Sequence, residues 1–182
     1  MKRVIHNFDS PDRFVAGTVG LPGERTFFLQ ASSGNKVTSV VLEKAQVFAI
    51  AERITFMLKE LKRNQLSLAL EILPLDERPL EMPILEEFRV GIMSLSWLSD
   101  REKVLLQLQA LTENVPENDE LIEDDVEDAP DLLRVLISAG QAQSFAQRAI
   151  SLVNAGREPC AFCGLPLDPA GHVCPRANGY RR

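Results

Sequence analysis

Arg13-Phe14-Val15-Ala16-Gly17-Thr18-Val19, Leu21-Pro22-Gly23-Glu24 and Arg25-Thr26-Phe27-Phe28-Leu29-Gln30-Ala31 together decide the fold. Two runs rich in aromatic and β-branched residues flank a Pro-Gly pair that suits the two central positions of a type II turn. Ser32-Ser33-Gly34-Asn35 supplies the next turn and Lys36 to Leu42 a third strand, so an antiparallel meander is expected. From Glu43 to Arg63 the period changes. Val47, Ile50, Ala51, Ile54, Leu58 and Leu61 fall on one helical face, which predicts an amphipathic helix running to Asn64.

Working outward, the same order recurs. Strands are expected at Glu87 to Leu95, Lys103 to Leu111 and Leu132 to Ile137. A second helix is expected over Gly140 to Asn154, burying Ala142, Phe145, Ala146, Ala149, Ile150 and Val153, with Gly156 as its C′ residue. Phe14-Val15-Ala16-Gly17 is matched by Phe88-Arg89-Val90-Gly91, and Phe28-Leu29-Gln30-Ala31 by Gln107-Leu108-Gln109-Ala110. Gln46, Ala51 and Arg53 are matched by Gln141, Ala146 and Arg148. The expectation is an α+β protein: a duplicated β-β-β-α body (1–156, halves about 12–63 and 87–155) forming one six-stranded antiparallel sheet with both helices on one face. Residues 65–86, with Pro74, Pro79 and Pro83, read as an irregular crossing segment, Ser67 to Leu73 being an alternative strand.

Composition excludes several classes. Hydrophobic content of 45% and charge of 25% are those of a globular chain, and no run of 18 apolar residues is present, so no membrane association is expected. The first residues meet Asp9, Pro11 and Asp12 before any apolar run, so no secretory leader is expected. Thiols spaced for a metal, without an even disulfide framework, point to the cytoplasm. The net charge of −6 hides an asymmetry: residues 113–131 hold ten carboxylates and no cation, and without them the rest carries +4. That acidic stretch reads as a solvated loop, without the spacing of a Ca²⁺ loop.

The remaining stretch, 157–182, holds all three cysteines and one of the two histidines. Cys160-x2-Cys163 followed by His172-x-Cys174 is a Cys3His set that suits tetrahedral Zn²⁺, and Gly164 lets the turn between the first two thiolates close. Four protein ligands leave no open position for water, so the zinc is expected to be structural. Three thiolates would leave the site at −1, with Arg157 and Arg176 nearby to offset it. A redox C-x-x-C and plain buried cysteines are the competing readings. Pro159-Cys160-x-x-Cys163 matches half of the zinc-deaminase signature, but the only upstream histidine, His6, is followed by Asn7-Phe8 and lacks the required H-x-E. His6 alone near Ser10 and Asp9 does not make a triad, and no phosphate-binding Gly-rich loop is present.

Phe14 to Gly17, Arg25 to Ala31, Leu42-Glu43-Lys44, Phe88 to Gly91 and the tail from Cys160 to Arg182 resemble an uncharacterised bacterial family, best known in actinobacteria, over nearly the whole length. Cys163-Gly164-Leu165-Pro166-Leu167-Asp168-Pro169 and Gly171-His172-Val173-Cys174-Pro175 are the most specific part. The resemblance implies a shared layout, and gene neighbours that include a histidine-phosphatase-like protein and one resembling lipid kinases. It implies no activity.

The functional expectation is a non-enzymatic binding or adaptor protein with structural zinc and a protein partner. The alternative is an enzyme or small-ligand protein acting on a phosphorylated substrate in a groove between the halves. There Gln46/Arg53 and Gln141/Arg148 would meet across a pseudo-twofold as an anion site. A weaker reading is nucleic-acid binding through Arg176, Tyr180, Arg181 and Arg182, which the acidic stretch opposes.

Overall fold

The computed structural model describes residues 2–64, 72–112, 121–122, 126–156, 158–165, 167 and 172–177. The strands are β1 (Ile5–Asp9), β2 (Arg13–Val19), β3 (Thr26–Ser33), β4 (Lys36–Leu42), β5 (Glu86–Leu98), β6 (Lys103–Ala110) and β7 (Leu132–Ser138); the helices are α1 (Lys44–Arg63) and α2 (Ala139–Asn154). The protein is α+β, and every strand and helix expected from the sequence is present. The expected type II turn forms, with Gly23 at φ 101° and Glu24 N–H donating to the Leu21 carbonyl at 2.9 Å.

The sheet differs from the expectation in two ways. It has seven strands, in the order β1-β7-β6-β5-β4-β3-β2, and it is mixed. The pairs β4·β5 and β1·β7 are parallel; all others are antiparallel. The parallel β4·β5 seam follows from the connection between them. A helix and a crossing segment return the chain to the same end of the sheet, whereas a hairpin would reverse it. The two β-β-β-α units therefore sit side by side with the same strand direction. A twofold axis normal to the sheet would set their inner strands antiparallel, so no such axis relates the two units.

β1 and β2 lie at opposite ends of the strand order yet are joined by only Ser10 to Asp12, a link that spans about 15 Å at most. The sheet must curl until its edges approach. Accordingly Lys36 Nζ of β4 reaches the Asn7 carbonyl of β1 at 3.4 Å and lies over the Phe8 ring. The concave face carries the main core: Phe8, Phe14, Leu29, Val40, Leu106 and Ile137 pack with Val47 and Ile54 of α1 and Phe145 and Ala149 of α2. Phe14 and Phe145 stack at 4.7 Å. Each helix begins with the same device: Gln46 and Gln141, at the third helical position, accept from the N-cap N–H of Glu43 and Ser138. The other amide end crosses to the Val90 carbonyl for Gln46 and to the Pro11 carbonyl for Gln141. α2 ends on Ala155 N–H to Ser151 O at 2.8 Å, and Gly156 is not in the left-handed region where a C′ glycine was expected.

The convex face is covered by irregular chain. As expected, the described part of this segment, 72–85, forms no strand, β5 beginning at Glu86; most of the alternative strand Ser67 to Leu73 lies outside the described residues. Leu80 fills a second core with Val15, Phe28 and Val41. Gln30, fully buried on β3, holds this segment by both amide ends: Oε1 accepts from Glu81 N–H at 2.8 Å and Nε2 donates to Glu81 O at 3.1 Å. Gln109, its sequence match on β6, accepts from Ile122 N–H at 2.9 Å. Arg3 donates to the carbonyls of Ile122 and Pro130. The described part of the acidic stretch is thus pinned to the body rather than a free solvated loop, because a buried amide and a buried guanidinium need partners there.

Gly17 and Gly91, matched in sequence, share a role. Chain crosses both so closely that a Cβ at Gly17 would lie 2.4 Å from Leu80 Cγ, and one at Gly91 would lie 2.9 Å from Leu111 Cα. Gly17→Ala is expected to cost about 1–3 kcal/mol by overpacking, read from the urea midpoint. The double variant with Leu80→Ala should be no less stable than Leu80→Ala alone. Additive costs would show that the clash is not the cause.

Candidate metal centre

After α2 the chain enters the tail, where Pro159 makes an isolated bridge and two short turns follow. Leu167 N–H donates to Glu158 O at 2.8 Å and Cys160 N–H to Leu165 O at 2.7 Å, so the chain folds back across its own path. Gly164 sits at φ 75°, a conformation glycine adopts without Cβ strain, and its N–H donates to Cys160 O at 2.8 Å. This closes the C-x2-C turn and aims Cys160 and Cys163 at one point. A second turn, closed by Ala177 N–H to Cys174 O at 3.2 Å, presents Cys174 from the other side. Arg176 Nη1 links the turns by donating to the Phe162 carbonyl at 3.2 Å.

The outcome is a cluster. The ligand atoms of Cys160, Cys163, His172 and Cys174 all lie within 4.8 Å of one another, so together they could hold a metal ion. Cys160 Sγ and Cys174 Sγ are 3.8 Å apart, the edge of a tetrahedron with metal–sulfur bonds of about 2.3 Å. Cys163 Sγ and His172 Nε2 are 3.2 Å apart. All three cysteines are free thiols. Hydrogen bonds from the Cys163 and Phe162 N–H groups lower the Cys160 thiol to about 6, while burial pushes Cys163 up. Such N–H donors favour the thiolate that a soft metal needs.

Among the described residues, Arg176 is the sequence candidate that joins this cluster, while Arg53 and Arg148 lie elsewhere. Arg157, Arg181 and Arg182 lie outside the described residues. Arg53 is exposed on α1, its guanidinium 5.9 Å from the Phe56 ring centroid. Arg148 goes elsewhere: it reaches from α2 to the free edge of β2, where Nε donates to the Ala16 carbonyl at 2.7 Å and Nη1 to the Asp76 carbonyl. Arg148 lines a cavity between β2, α2 and the crossing segment, and Arg53 is not among the residues around it, so the two arginines do not frame that cavity together. His6 is partly buried, 3.4 Å from the Thr38 hydroxyl and 3.9 Å from Glu87.

Sequence reasoning missed three residues grouped around that cavity: Arg13, Asp76 and Arg78. Asp76 Oδ2 accepts from Arg13 Nε at 2.7 Å and from Arg78 Nη2 at 2.8 Å, with Arg148 Nη1 at 3.6 Å from Oδ1. Burial alone would raise the Asp76 carboxyl, but hydrogen bonds from Arg13 and Arg78 outweigh it and hold it well below the usual carboxylate range. No periodic signal marks Asp76, because it lies in irregular chain.

The fold and the cluster define an α+β protein whose tail carries a Cys3His set able to hold a metal ion. The chain belongs to a family described as a protein of unknown function (DUF3090), whose model matches residues 6–174 and so includes all four cluster residues. No curated protein and no solved structure matches it. Among the described residues, no helix is long and apolar enough to cross a membrane.

Proposed function

We propose that this chain is a non-enzymatic, protein-binding adaptor whose tail is held by one structural zinc ion. The observation that carries this reading is what the clustered ligands tie down. Phe162 is 68% exposed and Val173 78%, each directly beside a ligand, and Leu165 and Leu167 are exposed between them. A tail too short for its own core gains its order from the metal, and the metal keeps these apolar side chains at the surface. Apolar groups concentrated on a rigid module are what a partner surface uses as anchors. Three thiolates and one imidazole favour zinc among available ions, and full ligation leaves no place for a reacting water.

The test compares wild-type protein with Phe162→Ala/Val173→Ala. One zinc per chain is expected in both by elemental analysis. A specific partner captured by the wild type should be lost or weakened at least about tenfold in the variant, the scale of removing two interface anchors. Equal capture by both would remove the tail from the interface, and absence of zinc from both would remove the structural role.

A further inference from the structure

The cavity of about 440 Å³ between β2, α2 and the crossing segment is large enough for a small metabolite. Its charges are unbalanced where solvent is scarce. The Arg13 side chain is 7% exposed and that of Arg148 14%, yet between them stands one part-buried carboxylate, Asp76. Arg78 brings a third guanidinium to the same carboxylate from the surface. The other acids nearby offset the deficit only in part, from longer range or from the exposed rim. Glu81 is 3.9 Å from Arg13 Nη1 and accepts from the Ser32 hydroxyl at 2.7 Å. Asp12 accepts from Gly34 N–H at 2.7 Å, and Glu77 is exposed at the rim. Buried charge without a counter-charge is costly, so a second anion placed here would be stabilised. Beside these cations the wall is apolar, with Phe14, Leu75 and Phe145.

We propose that this cavity binds a small organic anion, with its carboxylate or phosphate against Arg148 and Arg13 and an apolar body against Leu75 and Phe14. Arginine offers a planar fork of donors suited to either acidic group. Burial and the neighbouring charge of Arg13 lower the Arg148 pKa, and the nearby carboxylates of Asp76 and Glu77 offset this only in part. The ligand site is separate from the tail and stands whether or not the adaptor reading holds.

Thermal melts with phenyl phosphate, benzoate and inorganic phosphate test it. Phenyl phosphate or benzoate should raise the melting temperature by about 5–10 °C at a hundredfold excess over Kd, growing with the logarithm of concentration. The better of the two identifies the acidic group, and inorganic phosphate should do less. Ser144→Trp, which fills the cavity mouth and leaves the arginines in place, should abolish the rise. Because that variant could misfold, the wild-type NMR signals of Arg13 and Arg148 Nε should also shift with the better probe, while that of Arg53 should not. No rise with either organic probe, an equal rise with inorganic phosphate, an undiminished rise in folded Ser144→Trp, or unmoved Arg13 and Arg148 signals would each overturn the proposal.

Discussion

A zinc chelator is expected to open the segment 158–177 to proteases while the body, β1 to α2, melts at nearly its original temperature. The tail is held by a handful of backbone hydrogen bonds and the four-residue cluster, and its larger apolar side chains lie mostly outside any core. Zinc binding to modules of this size releases about 10–16 kcal/mol, which is also their folding energy, so under the proposed function loss of the ion should remove most of what orders the tail. Cys163→Ser should behave like chelated wild type, with zinc content well below one per chain and rapid cleavage near Phe162. Zinc binding displaces thiol protons, so its affinity should fall as the pH is lowered. Zinc-replete protein cut as readily as the variant would show that the ion does not order the tail. Metal-free protein whose thiols oxidise readily would instead favour a redox pair.

These two outcomes separate because the cluster was legible in the sequence in a way the cavity was not. Cys160, Cys163, His172 and Cys174 lie within fifteen residues, and ligand chemistry with a closing glycine fixes what they can do together. The helices were equally plain, since Val47 to Leu58 and Ala142 to Val153 keep one face of a 3.6-residue period and bury it. Strand pairing is a long-range property, and there local pattern fails. Nothing in Ile5-His6-Asn7-Phe8 marks it as the neighbour of β7, 127 residues away by register. Nor does β5 announce that its first residues pair with β4 in parallel and the rest with β6 antiparallel. The matched glutamines were visible as identities, but their work of pinning convex-side chain to the sheet required the fold. The arginines show the same limit. Arg53 and Arg148 hold matching helix positions, yet one meets solvent and the other the open edge of β2, because α2 packs against an edge strand whereas α1 packs beside the central β5.

That open edge also sets the second large effect. Asp76→Ala is expected to destabilise the body by roughly 3 kcal/mol, the scale of leaving a part-buried cation without its partner, or about 6–12 °C in melting temperature for a chain of this length. The loss is large because one carboxylate serves three guanidiniums, and its backbone carbonyl also takes Arg148. Asp76→Asn keeps the shape and some hydrogen bonds, so it should fall between wild type and Asp76→Ala. The pH dependence has a definite sign. The folded carboxyl titrates below its unfolded value of about 3.9, so the folded state binds the proton less readily. Its contribution is therefore complete above about pH 4–5 and is lost as pH falls through the lower folded value. Melts between pH 3 and pH 6 should show wild type converging on Asp76→Asn toward the acid end, with the gap widest near pH 6. A gap independent of pH would mean that the charge on Asp76 does not hold the crossing segment, leaving the main-chain bond from Arg148 as the contact that closes the edge.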